Sequence, residues 1–349
     1  MTPRLLSIAT AVPPHVLRQN EVAAKASKLF AADFPDFSRL APVYANAAID
    51  TRYSCVPIDW YLAPHGFAER NRLYVDNALE LLERVARDAV ARAGLSMRQI
   101  DSIVTVSSSG IATPSLDAQL MDRLGLRRNI ERLPIFGLGC AGGVLGLGRA
   151  AALSRAAPDS RILFLVVELC GLTFRHADRS KSNVIATALF GDGAAGGVVA
   201  CDGDGPRIAD WGEHTWEDSL AVMGWNVRDD GLAVLFSRDI PTLVGTRLRE
   251  VALDYLGRHG LDFDDIDRFV SHPGGAKVID ALEDVFGLEP GAMTYSRETL
   301  RDYGNMSAVT VMFALAAAQA DAPLAAGQRC LLSALGPGFT AGFATLEAD

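Results

Sequence analysis

The chain has 349 residues, 49% of them hydrophobic and 21% charged, with 33 Lys and Arg against 42 Asp and Glu for a net charge of −9. That length exceeds one small core and predicts two domains or two fused halves. The negative balance offers no global field for a nucleic-acid backbone, and no apolar run approaches the length that spans a bilayer.

The first residues, "MTPRLLSIATAVPP", are apolar but short and stopped by Pro13-Pro14, which speaks against an export signal. Helical periodicity ending in Gly94 predicts a helix over 77–94, and "SIVTVSSS" predicts a strand over 102–109. Next come the glycine-rich stretch "IFGLGCAGGVLGLG" (135–148) and an apolar strand over 161–168, whose "ILFLVV" has the size of a core strand. "GGVVA" (196–200) reads as another strand, followed by the polar turn "CDGDGPR" (201–207). The second half offers a helix over 244–260 and strands over 267–272 and 329–335. Such alternation predicts an α/β architecture with largely buried sheets.

The halves are related internally. Pairing residue i with residue i+166 aligns Val85, Ala86, Asp88, Arg92, Gly94, Leu95, Ile100, Asp101 and Val104 with identical residues, nine matches in the twenty positions 85–104. Unrelated sequence would give about one, so the chain reads as two α/β halves joined near 201–207. The same offset sets Cys140 opposite Met306 and Gly139 opposite Asn305, and places His272 at the end of the second half's repeated strand. Halves packed face to face would bring Cys140, Asn305 and His272 to one cleft.

Gly137-Leu138-Gly139-Cys140-Ala141-Gly142 permits two readings. As G-x-G-x-x-G it could cradle a dinucleotide pyrophosphate, which asks for an early βαβ position and an acidic residue about twenty positions on. Glu168 ends a strand 26 residues past Gly142, but the loop lies mid-chain. As a strand-to-helix elbow it would instead lift Cys140 into a pocket, where the helix N-terminus and a nearby imidazolium would lower the thiol pKa. A free cysteine is most often a buried small hydrophobe, the reading given to Cys55, Cys201 and Cys330. The five cysteines are odd in number and lack C-x-x-C, so disulfides and a zinc site are not expected and a reducing cytoplasm is. His272 is followed at once by Pro273-Gly274-Gly275, and Asn305 in "YGNMSAV" supplies an amide suited to an oxyanion or enolate.

At these residues the sequence resembles the type III polyketide synthases, the chalcone synthase-like condensing enzymes of the thiolase fold. "GLGCAGG", "ALFGDGAA" (188–195), "SHPGG", "YGNMS" and "GPG" (336–338) carry the likeness in that order, over nearly the whole chain. The family's G-F-G-P-G reads "ALGPG" here. The resemblance implies a thiolase-like five-layered αβαβα fold of two duplicated halves, 1–205 and 206–349. It implies Cys140 as acyl-holding nucleophile ion-paired with His272, and His272 with Asn305 as the decarboxylation and oxyanion pair. Phe190 matches a gatekeeper, and a second aromatic gatekeeper falls around Val234 to Phe236.

Ser108, Glu168 and Ser307 match positions of a water network that steers cyclisation, and Gly275 and Lys277 match the coenzyme A tunnel. Thr173, Gly336, Pro337 and Gly338 fall at further substrate-binding positions. The segments 106–120, 166–183 and 223–232 look like the bacterial branch that makes alkylpyrones and alkylresorcinols. There Ser109, Thr113 and Cys170 are small residues at starter-tunnel positions, and Trp225, in place of a smaller residue common in the plant enzymes, is expected to reshape the cavity. The implied partners are acyl- and malonyl-coenzyme A and a second subunit in a homodimer, with 106–120 near the partner's cavity and no cofactor or metal. A 3-ketoacyl-carrier-protein synthase III-like single condensation is the alternative within the class. A nicotinamide-dependent oxidoreductase and a catalytically silent thiolase-fold protein are the others.

Overall fold

A computed structural model describes residues 1–31, 37–237 and 239–349. The strands are Arg4–Ala11 (β1), His15–Arg18 (β2), Thr51–Ser54 (β3), Ser102–Val106 (β4), Glu131–Ile135 (β5), Ile162–Leu169 (β6) and Asp192–Ala200 (β7). Arg207–Thr215 (β8), Met223–Arg228 (β9), Gly231–Phe236 (β10), Arg268–Ser271 (β11), Arg329–Gly336 (β12) and Thr340–Glu347 (β13) complete them. Nine form one sheet in the order β11-β12-β13-β8-β1-β7-β6-β4-β5, and β2/β3 and β9/β10 form two antiparallel two-stranded ribbons.

The sheet contains the duplication. In one half β4 pairs with β6 in parallel, and β7 and β1 follow antiparallel. In the other, β11 pairs with β12 in parallel, and β13 and β8 follow antiparallel. The two sets meet at the single pair Arg4–Arg207. Adding 166 to β4 and β6 gives 268–272 and 328–335, the positions of β11 and β12 to within one residue.

Burial on both faces divides each central strand by its two-residue period. Ile162, Phe164 and Val166 enter the middle core, while Leu163, Leu165 and Val167 enter an outer one. On β12, Cys330, Leu332 and Ala334 face the middle, and Leu331 and Leu335 face outward. The helices Gly142–Ala156 and Thr310–Asp321 fill the middle. Phe67–Arg92 covers the first half's outer face, and Ile240–Gly257 with Ala276–Phe286 covers the second's. The result is the five-layered thiolase-like arrangement.

Several boundaries moved. β4 ends at Val106 because Ser107, Ser108 and Ser109 leave the sheet, the Ser108 amide bonding the Glu168 carboxylate at 3.0 Å instead of a strand. β7 begins four residues before the expected 196, its alanines and glycines fitting a strand crowded on both faces: a Cβ on Gly197 would lie 2.3 Å from the Ser7 carbonyl oxygen. The helix expected over 77–94 runs from Phe67 to Arg92, and that over 244–260 from Ile240 to Gly257.

Candidate active site

The glycine-rich stretch forms an elbow. Gly137 and Gly139 have φ of 95° and 47°, the left-handed region that side chains resist. A short 3-10 turn over Gly139–Ala141 then enters the helix Gly142–Ala156. That helix is small-sided because its surroundings leave no room. A Cβ on Gly143 would stand 2.3 Å from the Ala308 carbonyl oxygen, and one on Gly146 would stand 2.6 Å from a Val106 methyl. The loop Gly336-Pro337-Gly338 backs the elbow: a Cβ on Gly139 would meet the Pro337 ring at 2.5 Å.

Cys140, His272 and Asn305 line one cavity of about 420 Å³ together with Gly275, Lys277 and Phe236. Each arrives by a different element: the elbow after β5, the end of β11, and the turn after the helix Thr294–Tyr303. His272 is fixed by its amide, which bonds the Ser333 carbonyl on β12 at 2.8 Å. The Asn305 side chain is held at both ends, donating through Nδ2 to the Gly274 carbonyl at 3.1 Å and accepting at Oδ1 from the Ser307 amide at 2.8 Å. One Nδ2 hydrogen remains free.

A polar network supports the elbow from behind. Ser108 Oγ accepts the Gly139 amide at 3.1 Å, and Glu168 accepts the Ser108 amide. Ser109 Oγ accepts the Leu169 amide at 2.8 Å, and the Ser307 hydroxyl faces the Cys140 thiol and partly lowers its pKa. Burial raises the Glu168 carboxyl from 4.5 to about 7 against the hydrogen bonds from Ser109 and Ser108.

Burial opposes the charge states that the sequence leads one to expect. Burial pushes the Cys140 thiol up to about 12 and the His272 imidazole down to about 3. Both ring nitrogens of His272 are buried without a hydrogen-bond partner. Burial thus works against the expected thiolate–imidazolium pair, raising the thiol and lowering the imidazole.

Other expected positions separate. Cys170, Thr173 and Phe190 line a smaller, mainly apolar neighbouring pocket of about 80 Å³. Phe190 stacks edge-on to Phe236 at 5.7 Å and to Trp225 at 6.3 Å, so an aromatic wall stands between the two spaces. Phe236 thus supplies the second aromatic. Val234 shares its strand face two residues earlier and lines the small pocket, an ambiguity that a two-residue period leaves in the sequence. Trp225 Nε1 donates to the Ser108 carbonyl at 2.8 Å, tying the β9/β10 hairpin to the elbow.

Ser109 and Thr113 line neither space. Ser109 is used up by its bond to β6, and Thr113 is exposed. Gly336, Pro337 and Gly338 pack behind the elbow and not on the cavity wall.

The chain matches the chalcone and stilbene synthase N-terminal domain over residues 2–203 and the C-terminal domain over 215–347. The chain belongs to the chalcone and stilbene synthase family of type III polyketide synthases. It is 36% identical to a putative chalcone synthase of Bacillus subtilis, over 96% of each chain. It is also 36% identical to a 1,3,6,8-tetrahydroxynaphthalene synthase of Streptomyces peucetius, over 98% of this chain and 92% of that one. The crystal structure of the corresponding Streptomyces coelicolor enzyme superposes with a TM-score of 0.95, covering 99% of both chains at 29% identity. This type III polyketide synthase is therefore an acyltransferase that condenses coenzyme A thioesters, a chemistry that needs no cofactor. Among the described residues no group of His, Cys, Asp and Glu could hold a metal ion, and no helix is long and apolar enough to cross a membrane.

Proposed function

We propose that this enzyme loads an acyl-coenzyme A starter on Cys140, extends it with malonyl-coenzyme A, and closes the chain to an alkylpyrone or alkylresorcinol. The observation that carries the reading is the convergence of Cys140, His272 and Asn305, from both halves, on one cavity. In loading, the Cys140 sulfur bonds the acyl carbon, its proton passes to His272, and the coenzyme A thiolate leaves with that proton. In extension, malonyl-coenzyme A loses CO2 and the bond's electron pair becomes an enolate. Its oxygen takes hydrogen bonds from a neutral His272 N–H and the free Asn305 Nδ2 hydrogen. The enolate carbon then attacks the Cys140 thioester, and the sulfur leaves. Lys277, exposed at the start of the helix Ala276–Phe286, and the bare backbone of Gly275 suit the anionic coenzyme tail.

A medium- or long-chain fatty starter is supported by the pocket beyond Phe190, walled by Leu17, Leu29, Phe30 and Phe174. Each buried methylene contributes about 0.8 kcal/mol. Incubation with malonyl-coenzyme A and acyl-coenzyme A thioesters of graded length, read by product mass, tests the starter. Full-length product from Cys140→Ala would overturn the nucleophile assignment.

Two further assignments belong to this reading. The halves divide at 205/206, in the turn before β8, and the enzyme works in the cytoplasm as a homodimer. Edge strand β5 supports the second copy, with Leu133 on it and Phe136 (60% exposed) directly after it both exposed. Light scattering should give twice the 37.2 kDa chain mass.

A further inference from the structure

The pocket beyond Phe190 contains a group that an alkyl chain leaves unused. Arg52, on β3, lines it at 1% exposure, and neither Nη1 nor Nη2 has a hydrogen-bond partner. The other polar side chains lining the pocket are committed. Lys25 pairs with Asp59, Tyr61 bonds Ser54, and Thr187 bonds Tyr44. Thr173 bonds the Cys170 carbonyl, and Asn183 bonds the Arg175 and Asp178 carbonyls. Asp192, the carboxylate whose field reaches Arg52, spends its oxygens on the Cys55 and Gly171 amides. Burial lowers the guanidinium to about 10, so it stays charged at neutral pH.

Its place in the pocket is also defined. A Cβ on Gly191 would come within 3.3 Å of the Arg52 Cβ, and one on Gly304 within 3.4 Å. These two glycines adjoin Phe190 and Asn305, which bridge each other, so Arg52 sits at the end nearest the catalytic cavity. The apolar walls from Leu17, Val22, Leu29 and Leu62 lie on the helix Gln19–Phe30 and its surroundings, and Leu62 is 37% exposed. An unpaired buried guanidinium is costly, and its planar fork matches two acceptor oxygens side by side.

We infer that Arg52 recognises the β-dicarbonyl oxygens of the extended acyl chain while the alkyl remainder lies along the apolar wall. The inference rests on the polyketide reading above and deepens it. A saturated starter offers Arg52 no acceptor; a chain that has gained keto groups offers two, so the residue favours extended intermediates over the starter and over early release.

The test is titration calorimetry on the full-length enzyme with nonane-2,4-dione, 2-nonanone and nonanoate. The dione should bind wild type about tenfold or more tighter than the monoketone, the worth of a charge-assisted hydrogen bond, and Arg52→Met should erase that preference. Dione preference surviving in Arg52→Met, or nonanoate, whose carboxylate also fits the fork, binding Arg52→Met as tightly as wild type, would overturn the assignment. Should Arg52→Met fail to fold, Arg52→Lys keeps the charge and loses the fork; an unchanged preference there overturns the proposal. In turnover with acyl- and malonyl-coenzyme A, Arg52→Met should lower the ratio of multiply to singly extended products about tenfold. A wild-type enzyme that never carries acyl on Cys140 would defeat the polyketide reading itself, a failure visible by protein mass independently of the titration.

Discussion

Replacing His272 with leucine isolates how the Cys140 thiol ionises. Leucine keeps the site filled and apolar while removing the one imidazole in the cavity. Burial already pushes the thiol up to about 12 with the imidazole in place, and leucine adds nothing that would lower it. At pH 7 about one such thiol in 10⁵ is ionised, against about 3% of an ordinary thiol of pKa 8.5. The deficit is about 3,000-fold, and the greater nucleophilicity of the more basic sulfur offsets about 40-fold of it. Iodoacetamide should therefore label Cys140 in His272→Leu about 10²-fold more slowly than an exposed cysteine peptide, read by peptide mass. The rate should climb about tenfold per pH unit from 6 to 10 without levelling, whereas in wild type the imidazole takes the proton as the sulfur attacks, so labelling at pH 7 should be faster than in the variant. A plateau below pH 8 in the variant would show that some other group ionises the sulfur, and the role given to His272 would fall.

Three more outcomes are expected. The folded-state pKa of Glu168, about 7, lies above its ordinary 4.5, so its stabilising contribution is full below pH 4.5 and lost as pH rises through 7. Glu168→Gln cannot ionise, so its melting temperature should gain on wild type between pH 5 and pH 8; a constant difference would refute the raised pKa. Asn305→Ala should slow malonyl-coenzyme A decarboxylation by about 10²–10³, the effect of one oxyanion donor, with Cys140 acylation falling far less; equal losses in both would make Asn305 a structural residue only. Gly143→Ala, whose methyl would sit 2.3 Å from the Ala308 carbonyl oxygen, should cost about 1–3 kcal/mol or more in urea unfolding, and a neutral result would mean that the central helices separate easily.

What the sequence disclosed was what local chemistry fixes. Glycines on both sides of Cys140 mark a backbone that must turn left-handed, and the offset of 166 carries β4 onto β11 and so places His272 at a strand end. Asn305 is less regular, because Gly304 and Ser307, both at positive φ, lengthen the turn and start the second central helix two residues late. The edge strand β5 and the ribbon β9/β10 were silent, since none of the three alternates buried with exposed residues at a two-residue period. Arg52 was illegible for a stronger reason. An arginine in "TRYS" reads as exposed, and only the packing of Gly191 and Gly304, more than a hundred residues away, encloses it. The protonation of Cys140 and His272 is of the same kind: it is set by the sum of what surrounds them, which no local motif reports.

That collective burial also bears on the chemistry. Among the described residues lining the catalytic cavity, Lys277 at the helix start is the one Lys, Arg, Asp or Glu, and burial disfavours the charged forms of Cys140 and His272. A malonyl carboxylate carried in past Lys277 loses its water and meets mainly apolar groups such as Met223, Ile240 and Leu335. Leaving as neutral CO2 relieves that cost, and in the proposed mechanism the charge that stays behind moves to an oxygen facing the His272 and Asn305 donors. A cation placed beside the carboxylate would stabilise the reactant and work against the step. Introducing one, by Met223→Lys, should therefore depress malonyl-coenzyme A decarboxylation while tightening malonyl-coenzyme A binding; faster decarboxylation in that variant would show that desolvation of the carboxylate is not what drives it.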